Sequence, residues 1–495
     1  MEQVSPASAA LLQLESQAAQ MHVGWLARVD AGAGGAAVDV EALRERVERR
    51  LVGAPRFRRV VARADAGEGG ALVWRDDPSF AVARHVAVSD AAVTGEDELR
   101  GVIDRFLSER LARDRPLWRV LVVPRPRGGA AIVGTAHRAL LAAHETTTLR
   151  ELVFDRGPDG AAGAAAGSAA ARAGADALAL SEFRTAARME AVTAAQREHG
   201  RIGTTLRHAA YTRTEGLLSS APPSFLNAPP AARRGGAPGG AAAGASTTGL
   251  DRPGARTIAT ARLELGRLRR IAERTETELH DVVLAVAAGA LRRVALAAGE
   301  QPANLRAMVP VDPAGETLLL GDAPSAVVEL PVAERTPLTR LRAIHATMAA
   351  VRDPRGGRAS GAPRGAGAGG GDTGPDERGA RPTLLAGPPD ELPSRLALAA
   401  RLCNLTIPSA HGPERALQLA GAHVRALFPV TPAPDDHGLT LSTLAYGRHL
   451  HVTAAADAAA IGGVGRLPVM LADAVEELAL STGASPSRGL PQTAR

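Results

Sequence analysis

The chain has 495 residues, 45% of them apolar and only 2% aromatic; this length exceeds what one hydrophobic core usually holds, so two domains with cores of Ala, Val and Leu are expected. Its net charge of +6 comes with no lysine and no dense basic tract carrying aromatics, which excludes a typical nucleic-acid binder. The single cysteine, Cys403, and the lack of an uncharged apolar run of about 18 residues exclude a disulfide framework, a cysteine-rich zinc site and a membrane span.

The N-terminal part alternates between strand and helix patterns. Residues 21–29 show the partial alternation of a strand, and Asp39 then caps a helix whose apolar positions share one face. A second amphipathic helix is predicted over 97–112, where the sequence Arg-Asp-Arg-Pro follows. Strands are predicted at 118–123 and 130–135, on either side of a Pro- and Gly-rich turn. This order predicts an α/β domain.

Stretches of low complexity divide the chain. Residues 177–254 combine a helical segment with a Pro- and Gly-rich linker, and 353–390 form an insert with almost nothing to bury, expected to be disordered. The sequence therefore predicts an N-terminal domain at 1–176, a C-terminal domain at 255–481 and a loose tail at 482–495. The elements predicted in the C-terminal domain are helices at 277–298, 337–351, 391–402 and 466–481 and strands at 305–311, 325–331, 423–430, 438–446 and 448–455.

Six separated stretches carry the clearest signal. They are SPASAALLQLESQAAQMHVG at 5–24, Arg115-Pro116-Leu117-Trp118, His280-Asp281-Val-Val-Leu-Ala285, Val309-Pro310-Val311, the Asn404 segment CNLTIPS, and the ending GAHVRALFPVTP with GLTLSTLAYG. Their order and spacing over residues 5–480 resemble the bacterial wax ester synthase/diacylglycerol acyltransferase family.

The resemblance implies two similar α/β domains of the coenzyme A-dependent acyltransferase type, with mixed sheets and a tunnel between them. It implies that the hydroxyl of diacylglycerol or a long-chain alcohol attacks the thioester of acyl-CoA, aided by the second histidine of a His-His-x-x-x-Asp-Gly motif as general base. The implied ligands are acyl-CoA as co-substrate and the lipid acceptor, with no bound cofactor and no metal. The expected location is the cytoplasm, with peripheral contact at the inner membrane face or a lipid-droplet surface.

The motif is degenerate in TAHRALLAAHE, residues 135–145. His137 matches its first histidine, Arg138 takes the position of the catalytic histidine, and Ala142 and Ala143 replace the Asp and Gly. Arginine stays protonated at physiological pH and cannot accept the proton of an alcohol. Its cation could instead pair with a buried carboxylate, bind an anionic group of a ligand or plug the tunnel.

Neither neighbouring histidine replaces the base directly. Alternation along the strand predicts that His137 faces away from the tunnel, with a backbone hydrogen bond to satisfy it, although a residual role as base stays open. His144 would lie about 9 Å along a helix axis from Arg138, and it is expected to be a helix-face residue. Glu145 projects about 100° round the helix from His144, so it is poorly placed to orient that ring.

The remaining motif positions are expected to line the tunnel or to support the fold; they are Pro116, Leu117, Trp118, Ala142, Ala143, His280, Asp281 and Asn404. Trp118 fits core packing as well as a site. Asp281 lies in the first turn of a helix that Thr277 could cap, so a helix-dipole role competes with active-site lining. His280 departs from the family's Asn, and Asn404 fits either a turn or a tunnel contact.

Two functional hypotheses follow. In the first, the chain is a degenerate family member without appreciable acyltransferase activity, which binds acyl-CoA or lipid or pairs with an active paralogue. In the second, it is a working O-acyltransferase that makes triacylglycerol or wax esters with a rearranged base such as His137. A remoter hypothesis, conjugation of carrier-bound acyl groups, requires the same missing His and Asp pair. The first hypothesis is favoured.

Overall fold

The computed structural model describes residues 2–15, 21–64, 72–90, 93–141, 149–156, 256–311, 325–352, 383–385, 403, 405–413, 415–431, 438–457 and 464–483. The chain divides into two compact units, Met1–Asp155 with Pro223–Arg495 and Arg156–Pro222, and nearly all described residues belong to the first. The domain boundaries drawn from the sequence remain a prediction. The linker at 177–254, most of the insert at 353–390 and the helix at 391–402 lie outside the described residues.

Helices of the described part agree with most of the predicted periodicity. They are α1 Pro6–Leu14, α2 Val40–Arg50, α3 Glu96–Ser108, α4 Arg138–Leu141, α5 Leu149–Val153, α6 Leu265–Thr275, α7 Leu279–Ala297, α8 Pro337–Arg352 and α9 Leu467–Ser481. Asp39 caps α2 as predicted, because its side chain accepts a hydrogen bond from the Ala42 N–H at 3.1 Å. Leu43 and Val47 form the buried side of that helix.

Helix α3 ends four residues earlier than predicted. The predicted helix ran to residue 112, but the backbone of Glu109 is already extended. Phe106 and Leu107 pack in one core, with residues from both large sheets, whereas Leu111 packs in a different core around Trp118. The helix therefore ends before Leu111, and the apolar residues predicted to form one helix face are divided between two cores.

Strands of the described part form three sheets. They are β1 Glu2–Gln3, β2 His22–Val29, β3 Arg59–Arg63, β4 Leu72–Asp76, β5 Val86–Val88, β6 Trp118–Pro124, β7 Ala130–His137, β8 Asp155–Arg156, β9 Arg256–Glu264, β10 Leu305–Pro310, β11 Ser325–Leu330, β12 Thr383–Leu385, β13 Leu405–Thr406, β14 Ser409–His411, β15 Leu417–Leu419, β16 Ala422–Val430, β17 Leu439–Tyr446 and β18 His449–Asp457. The small sheet has the order β1-β4-β3.

The two large sheets are mixed. The first has the order β5-β6-β7-β2-β16-β15-β8, and the second has β12-β11-β10-β13-β17-β18-β9 with β14 beside β17. Most neighbours are antiparallel, but four pairs are parallel, namely β5 with β6, β10 with β13, β13 with β17 and β14 with β17. Strands β15 and β16 come from the C-terminal half of the sequence, yet β16 pairs with β2 in the first sheet. The predicted α/β class with mixed sheets is confirmed.

The described residues form three hydrophobic cores around these sheets. One core fills the space between the second sheet and α6, α7, α8 and α9, and a second lies on the outer face of the first sheet. The third joins the facing sides of both sheets, where Leu26 and Val133 of the first cluster with Ile258 and Ala455 of the second. The facing sides of β2, β7, β9 and β18 thus form a layer between the sheets, and the functional groups below are located relative to this inter-sheet layer.

Candidate functional site

The turn from β7 into α4 carries His137 and Arg138 of the predicted degenerate motif, and hydrogen bonds to its backbone fix it from three sides. The His137 N–H donates to the Leu117 carbonyl at 2.9 Å, and the Arg138 N–H donates to the Met21 carbonyl at 2.7 Å. Ser8 of α1 donates its hydroxyl to the Ala139 carbonyl at 3.0 Å. The strand therefore ends at His137 and the helix begins at Arg138, with little freedom to rearrange.

The His137 ring is fully buried, and one of its nitrogens is already engaged. Its Nδ1 accepts a hydrogen bond from the Ala139 N–H at 3.0 Å, so in the neutral ring the proton sits on Nε2. That Nε2 lies 3.7 Å from Oε1 of Glu15. Burial lowers the pKa of His137 to about 3, with Glu15 opposing and His22 reinforcing the shift. His137 is therefore a neutral imidazole whose only acceptor atom is occupied.

The predicted orientation of His137 was wrong. It shares its side of β7 with Val133 and Ala131, and both of those pack against the second sheet in the inter-sheet layer. His137 thus lies on the inner side of the strand. The prediction placed His137 and Arg138 on opposite faces of one strand, but Arg138 already belongs to α4, where strand alternation no longer applies.

Glu15 is the centre of a buried charged cluster beside the motif. Its carboxylate lies 2.9 Å from Nε2 of His22, and it pairs with Arg113 and, at 3.2 Å, with Arg110. Burial pushes the pKa of Glu15 upward, but His22, His137 and Arg113 outweigh it and hold the pKa well below its usual range. For the His22 imidazole, burial acts in the other direction and lowers the pKa. The cluster is one carboxylate shared by two neutral imidazoles and two guanidinium groups.

Arg138, which the resemblance is predicted to place at the position of the catalytic histidine, is buried, with only 6% of its surface exposed. It is the first residue of α4. A guanidinium group at this depth keeps its charge, because its pKa lies far above the physiological range. The site therefore holds a fixed cation next to a neutral imidazole.

Trp118 packs within a stack of rings. It is 1% exposed, its Nε1 donates to the Phe57 carbonyl at 2.7 Å, and its ring stacks on His85 with centroids 4.5 Å apart. Phe80 covers the other side of His85 at 5.2 Å. Pro116 and Leu117 are also buried, and Leu117 contributes the carbonyl that receives the His137 N–H. The Pro116-Leu117-Trp118 block therefore packs in the core and holds the turn at His137 through the Leu117 carbonyl.

We expect Trp118→Phe to lower the free energy of unfolding by about 1–2 kcal/mol, because the ring stack survives while the Phe57 carbonyl loses its buried donor. Urea unfolding measures this value. Trp25→Phe is the matched control, since Trp25 is also buried but its indole NH has no hydrogen-bond partner among the described residues. An equal loss in both variants would mean that ring volume, not the hydrogen bond, sets the cost.

Asp281 lies in the first turn of α7, where its contacts stabilise the start of the helix. Its side chain accepts from the Glu278 N–H at 3.3 Å in a capping box, and it also contacts His345 and Arg352 at 2.7 Å each. The predicted cap at Thr277 was wrong by one residue, because Glu278 is the N-cap. The helix-dipole role weighed for Asp281 is compatible with this position in the first turn of α7. The neighbouring His280 is buried.

Several predicted positions lie outside the described residues, namely Ala142, Ala143, His144, Glu145 and Asn404. No sequence pattern indicated a role for Glu15 or His22, although both fall in the quoted stretch 5–24. A carboxylate just after an apolar helix and a histidine at the start of a buried strand were the available signals. Their pairing depends on how α1 packs on the sheet, which the sequence alone does not give.

Comparison with known proteins places the chain in a family of acyltransferases. Residues 4–283 match the wax ester synthase/diacylglycerol acyltransferase catalytic domain, and residues 390–479 match the C-terminal domain of the same family. A Mycobacterium tuberculosis protein described as a probable diacylglycerol O-acyltransferase is 25% identical over 464 residues, which are 90% of this chain and 89% of its own. The chain belongs to the wax ester synthase/diacylglycerol acyltransferase family.

Structural similarity extends over the whole chain. The solved wax ester synthase/diacylglycerol acyltransferase from Marinobacter aquaeolei VT8 superimposes with a TM-score of 0.62 at 18% identity, covering 98% of this chain and 100% of its own. The two proteins therefore share a fold. In the part of the chain that the structure describes, no helix combines the length and the apolar character needed to span a bilayer.

Proposed function

We propose that this protein keeps the scaffold of its family but has lost most or all of the family's acyl transfer from acyl-CoA to diacylglycerol or a long-chain alcohol. The observation that carries the proposal is the pair at the end of β7. Arg138 stands where the resemblance places the base, and the acceptor nitrogen of His137 is already bound by the Ala139 N–H.

Arg138 cannot do the work of a general base. The alcohol must give up its proton as it attacks the thioester, and a positioned imidazole contributes about 10²–10⁴-fold to such a step. A guanidinium group has five N–H donors and no acceptor. It could hold an anionic group of a ligand, but it could not take this proton.

His137 is a weak substitute. To accept a proton at Nδ1 it would first have to break its buried hydrogen bond to the Ala139 N–H, which would leave that donor unsatisfied. A base whose conjugate acid has a pKa of about 3 also has little affinity for a proton near neutral pH. Both effects act against catalysis.

The retained function we propose is binding of the family's ligands, acyl-CoA and a lipid alcohol or diacylglycerol, without a bound cofactor. The named activity of the mycobacterial relatives is the source of this ligand class. Partnership with an active paralogue, and peripheral contact with the inner membrane face or a lipid-droplet surface, belong to the same proposal. The cytoplasm is the proposed location.

We expect the natural protein to esterify diacylglycerol or hexadecanol at least about 100-fold more slowly than Arg138→His/Ala142→Asp/Ala143→Gly, which restores the base and the motif. Product formation from palmitoyl-CoA measures both rates. Arg138→Gln is the matched control, because it removes the cation without supplying a base, and it should stay as slow as the natural protein. Natural-protein turnover within tenfold of the restored variant would contradict the proposal.

A second candidate function is an active O-acyltransferase that uses His137. The observation that favours it is the carboxylate of Glu15, 3.7 Å from Nε2, which could stabilise an imidazolium. His137→Asn separates the two candidates, because the Asn oxygen can still accept from the Ala139 N–H but cannot act as a base. We expect no more than a twofold change in any residual turnover. A loss of about 100-fold would favour the second candidate.

A further inference from the structure

Strand β9 is the last strand of the second sheet, so in the described part of the chain one of its backbone edges has no neighbouring strand. At that edge, α3 supplies two side chains in place of a strand. The Ile258 N–H donates to Oδ1 of Asp104 at 3.0 Å, and the Arg256 N–H donates to Oγ of Ser108 at 2.7 Å. Alternate N–H groups of a strand point to the same edge. Helix α3 therefore satisfies two successive donors of the open edge of the second sheet.

The Asp104 carboxylate is the centre of this contact. It is 2% exposed, and its Oδ2 accepts a hydrogen bond from the Thr257 hydroxyl at 3.1 Å. Phe106 of the same helix packs in the inter-sheet layer together with Leu26 of the first sheet and Ile258 of the second. Helix α3 therefore joins the two sheets, and Asp104 holds it to the edge of the second.

A cleft of about 180 Å³ lies beside this contact. Its wall includes Ile103, the residue before Asp104, and Ile258, the residue whose N–H Asp104 accepts. Charged residues of β2 and α3 also line the cleft, namely Arg28, Glu96, Asp97 and Arg100. A cleft of this volume has room for several water molecules. The Asp104 carboxylate is therefore one residue away from space that water can fill.

The ionised form of Asp104 is disfavoured while α3 lies on β9. Burial raises its pKa from 3.8 to about 6, whereas the Ile258 N–H, the Thr257 hydroxyl and the charge of Arg100 oppose the shift. A raised pKa means that the closed contact favours the neutral acid, whereas a hydrated carboxyl group is ionised above about pH 4. The contact is therefore strongest in acid, and it weakens as the pH rises through 6.

The other charged groups around the contact leave Asp104 to be controlled mainly by burial. On the elements packed here they are Arg28 of β2, Arg119 of β6, Arg256 of β9 and, on or next to α3, Glu96, Asp97, Arg100 and Glu109. Arg28, Arg100 and Arg119 pair with Glu96, Asp97 and Glu109, respectively. The charge of Arg256 lowers the pKa of His22. Of these described groups, Arg100 is the one whose charge acts on Asp104.

We propose that Asp104 is a pH-sensitive latch between α3 and the edge of the second sheet, closed in acid and loosened as the pH rises through neutrality. Opening separates α3 from β9, widens the cleft at Ile258 and gives water and small ligands access to the inter-sheet layer. Ser108 does not titrate in this range, so its bond to the Arg256 N–H contributes equally at every pH. The latch does not depend on whether the chain turns over acyl-CoA.

Hydrogen–deuterium exchange of the full chain at pH 5 and pH 7.5, corrected for intrinsic exchange rates, tests the latch. We expect the protection of the Arg256 and Ile258 amides to be about tenfold lower at pH 7.5, because the open and closed contacts differ by nearly one bound proton over about one pH unit. Amides of residues 440–444 in β17, at the centre of the sheet, are the reference and should not lose protection.

Asp104→Asn should abolish this pH dependence to within about twofold. The Asn side chain can accept from the Ile258 N–H and donate to the Thr257 hydroxyl, and it carries no charge at either pH. Glu98→Gln is the matched control, because it neutralises an exposed carboxylate of α3 and keeps an acceptor for the Thr94 N–H. This control should retain the tenfold change.

Ser108→Ala keeps the test decisive if Asp104→Asn unfolds. It should lower the protection of the Arg256 amide about three- to tenfold at both pH values, the value of one hydrogen bond, and leave the ratio between the two pH values unchanged. A pH ratio that disappears in Ser108→Ala would contradict the role given to Asp104.

Three further results would overturn the latch. One is equal protection of the Arg256 and Ile258 amides at pH 5 and pH 7.5 in the natural protein. Another is a tenfold change that persists in Asp104→Asn, which would assign the pH dependence to a different group. The third is an equal loss of protection in β17, which would mean that the whole sheet unfolds and that α3 does not open separately.

Discussion

Acidification from pH 7 to pH 4.5 is expected to lower the free energy of unfolding by about 5 kcal/mol through His137 and His451 alone. Burial lowers their pKa values from 6.5 to about 3 and about 4 in the folded chain. Below pH 6.5 the unfolded chain therefore binds two protons that the folded chain does not bind. The free energy of unfolding consequently falls as the pH falls. For each ring, the folded and unfolded chains differ by one bound proton over nearly two pH units of this range. Each pH unit lowers the free energy of unfolding by about 1.4 kcal/mol.

Asp104 has the opposite sign. It is buried, where it accepts from the Ile258 N–H and the Thr257 hydroxyl, and burial raises its pKa to about 6. Its neutral form favours the folded chain, so this contribution is full below pH 3.8 and is lost as the pH rises through 6. Through Asp104, acidification from pH 7 to 4.5 thus adds about 2 kcal/mol to the free energy of unfolding. Asp104→Asn removes this gain, so the loss of stability on acidification should become steeper.

Urea unfolding at pH 7, 6, 5 and 4.5 measures these terms. His137→Asn and His451→Phe should each remove about half of the histidine contribution, because neither replacement takes up a proton in this range. His423→Asn is the matched control, since His423 is exposed on β16 and should leave the pH profile unchanged. An identical acid slope in the natural protein and both buried-site variants would show that other groups cause the acid loss.

Replacement of Glu15 by Ala is expected to lower the free energy of unfolding at pH 7 by about 3 kcal/mol. The side chain of Glu15 is 1% exposed and joins the end of α1 to His22 of β2 and to the Arg113 loop. Removing one partner of a buried charged pair costs about 3–5 kcal/mol, and the lower end applies because 38% of the Arg113 side chain can return to water.

Chemical denaturation of Glu15→Ala and Glu45→Ala at pH 7 tests this expectation. Glu45 pairs with Arg49 at 3.9 Å on the surface of α2, where both side chains are more than two-thirds exposed, so its loss should stay within about 0.5 kcal/mol. Equal effects of the two substitutions would show that burial of the cluster adds nothing. Because the pKa of Glu15 is held below its usual range, its contribution should fade only as the pH falls below 4.5.

Much of the element order followed from local pattern. The periodicities gave α2, α7 and α9 and strands β6, β7, β17 and β18 to within a few residues, since apolar positions repeat with the period of the backbone they occupy. The end of α3 was misplaced, because a stripe that continues in sequence can serve two different cores. Residue identity alone also predicted that Arg138 takes the position of the motif base.

The sequence by itself thus determined the fold class and the family, and it predicted the missing base, because these depend on residue type and on order along the chain. Only the tertiary structure decided that β16 joins the first sheet, that Glu15 lies between two histidines, and which nitrogen of His137 is engaged. These features depend on contacts between residues far apart in the chain. A local pattern shows which face of an element is buried, but packing alone selects the group that lies against it.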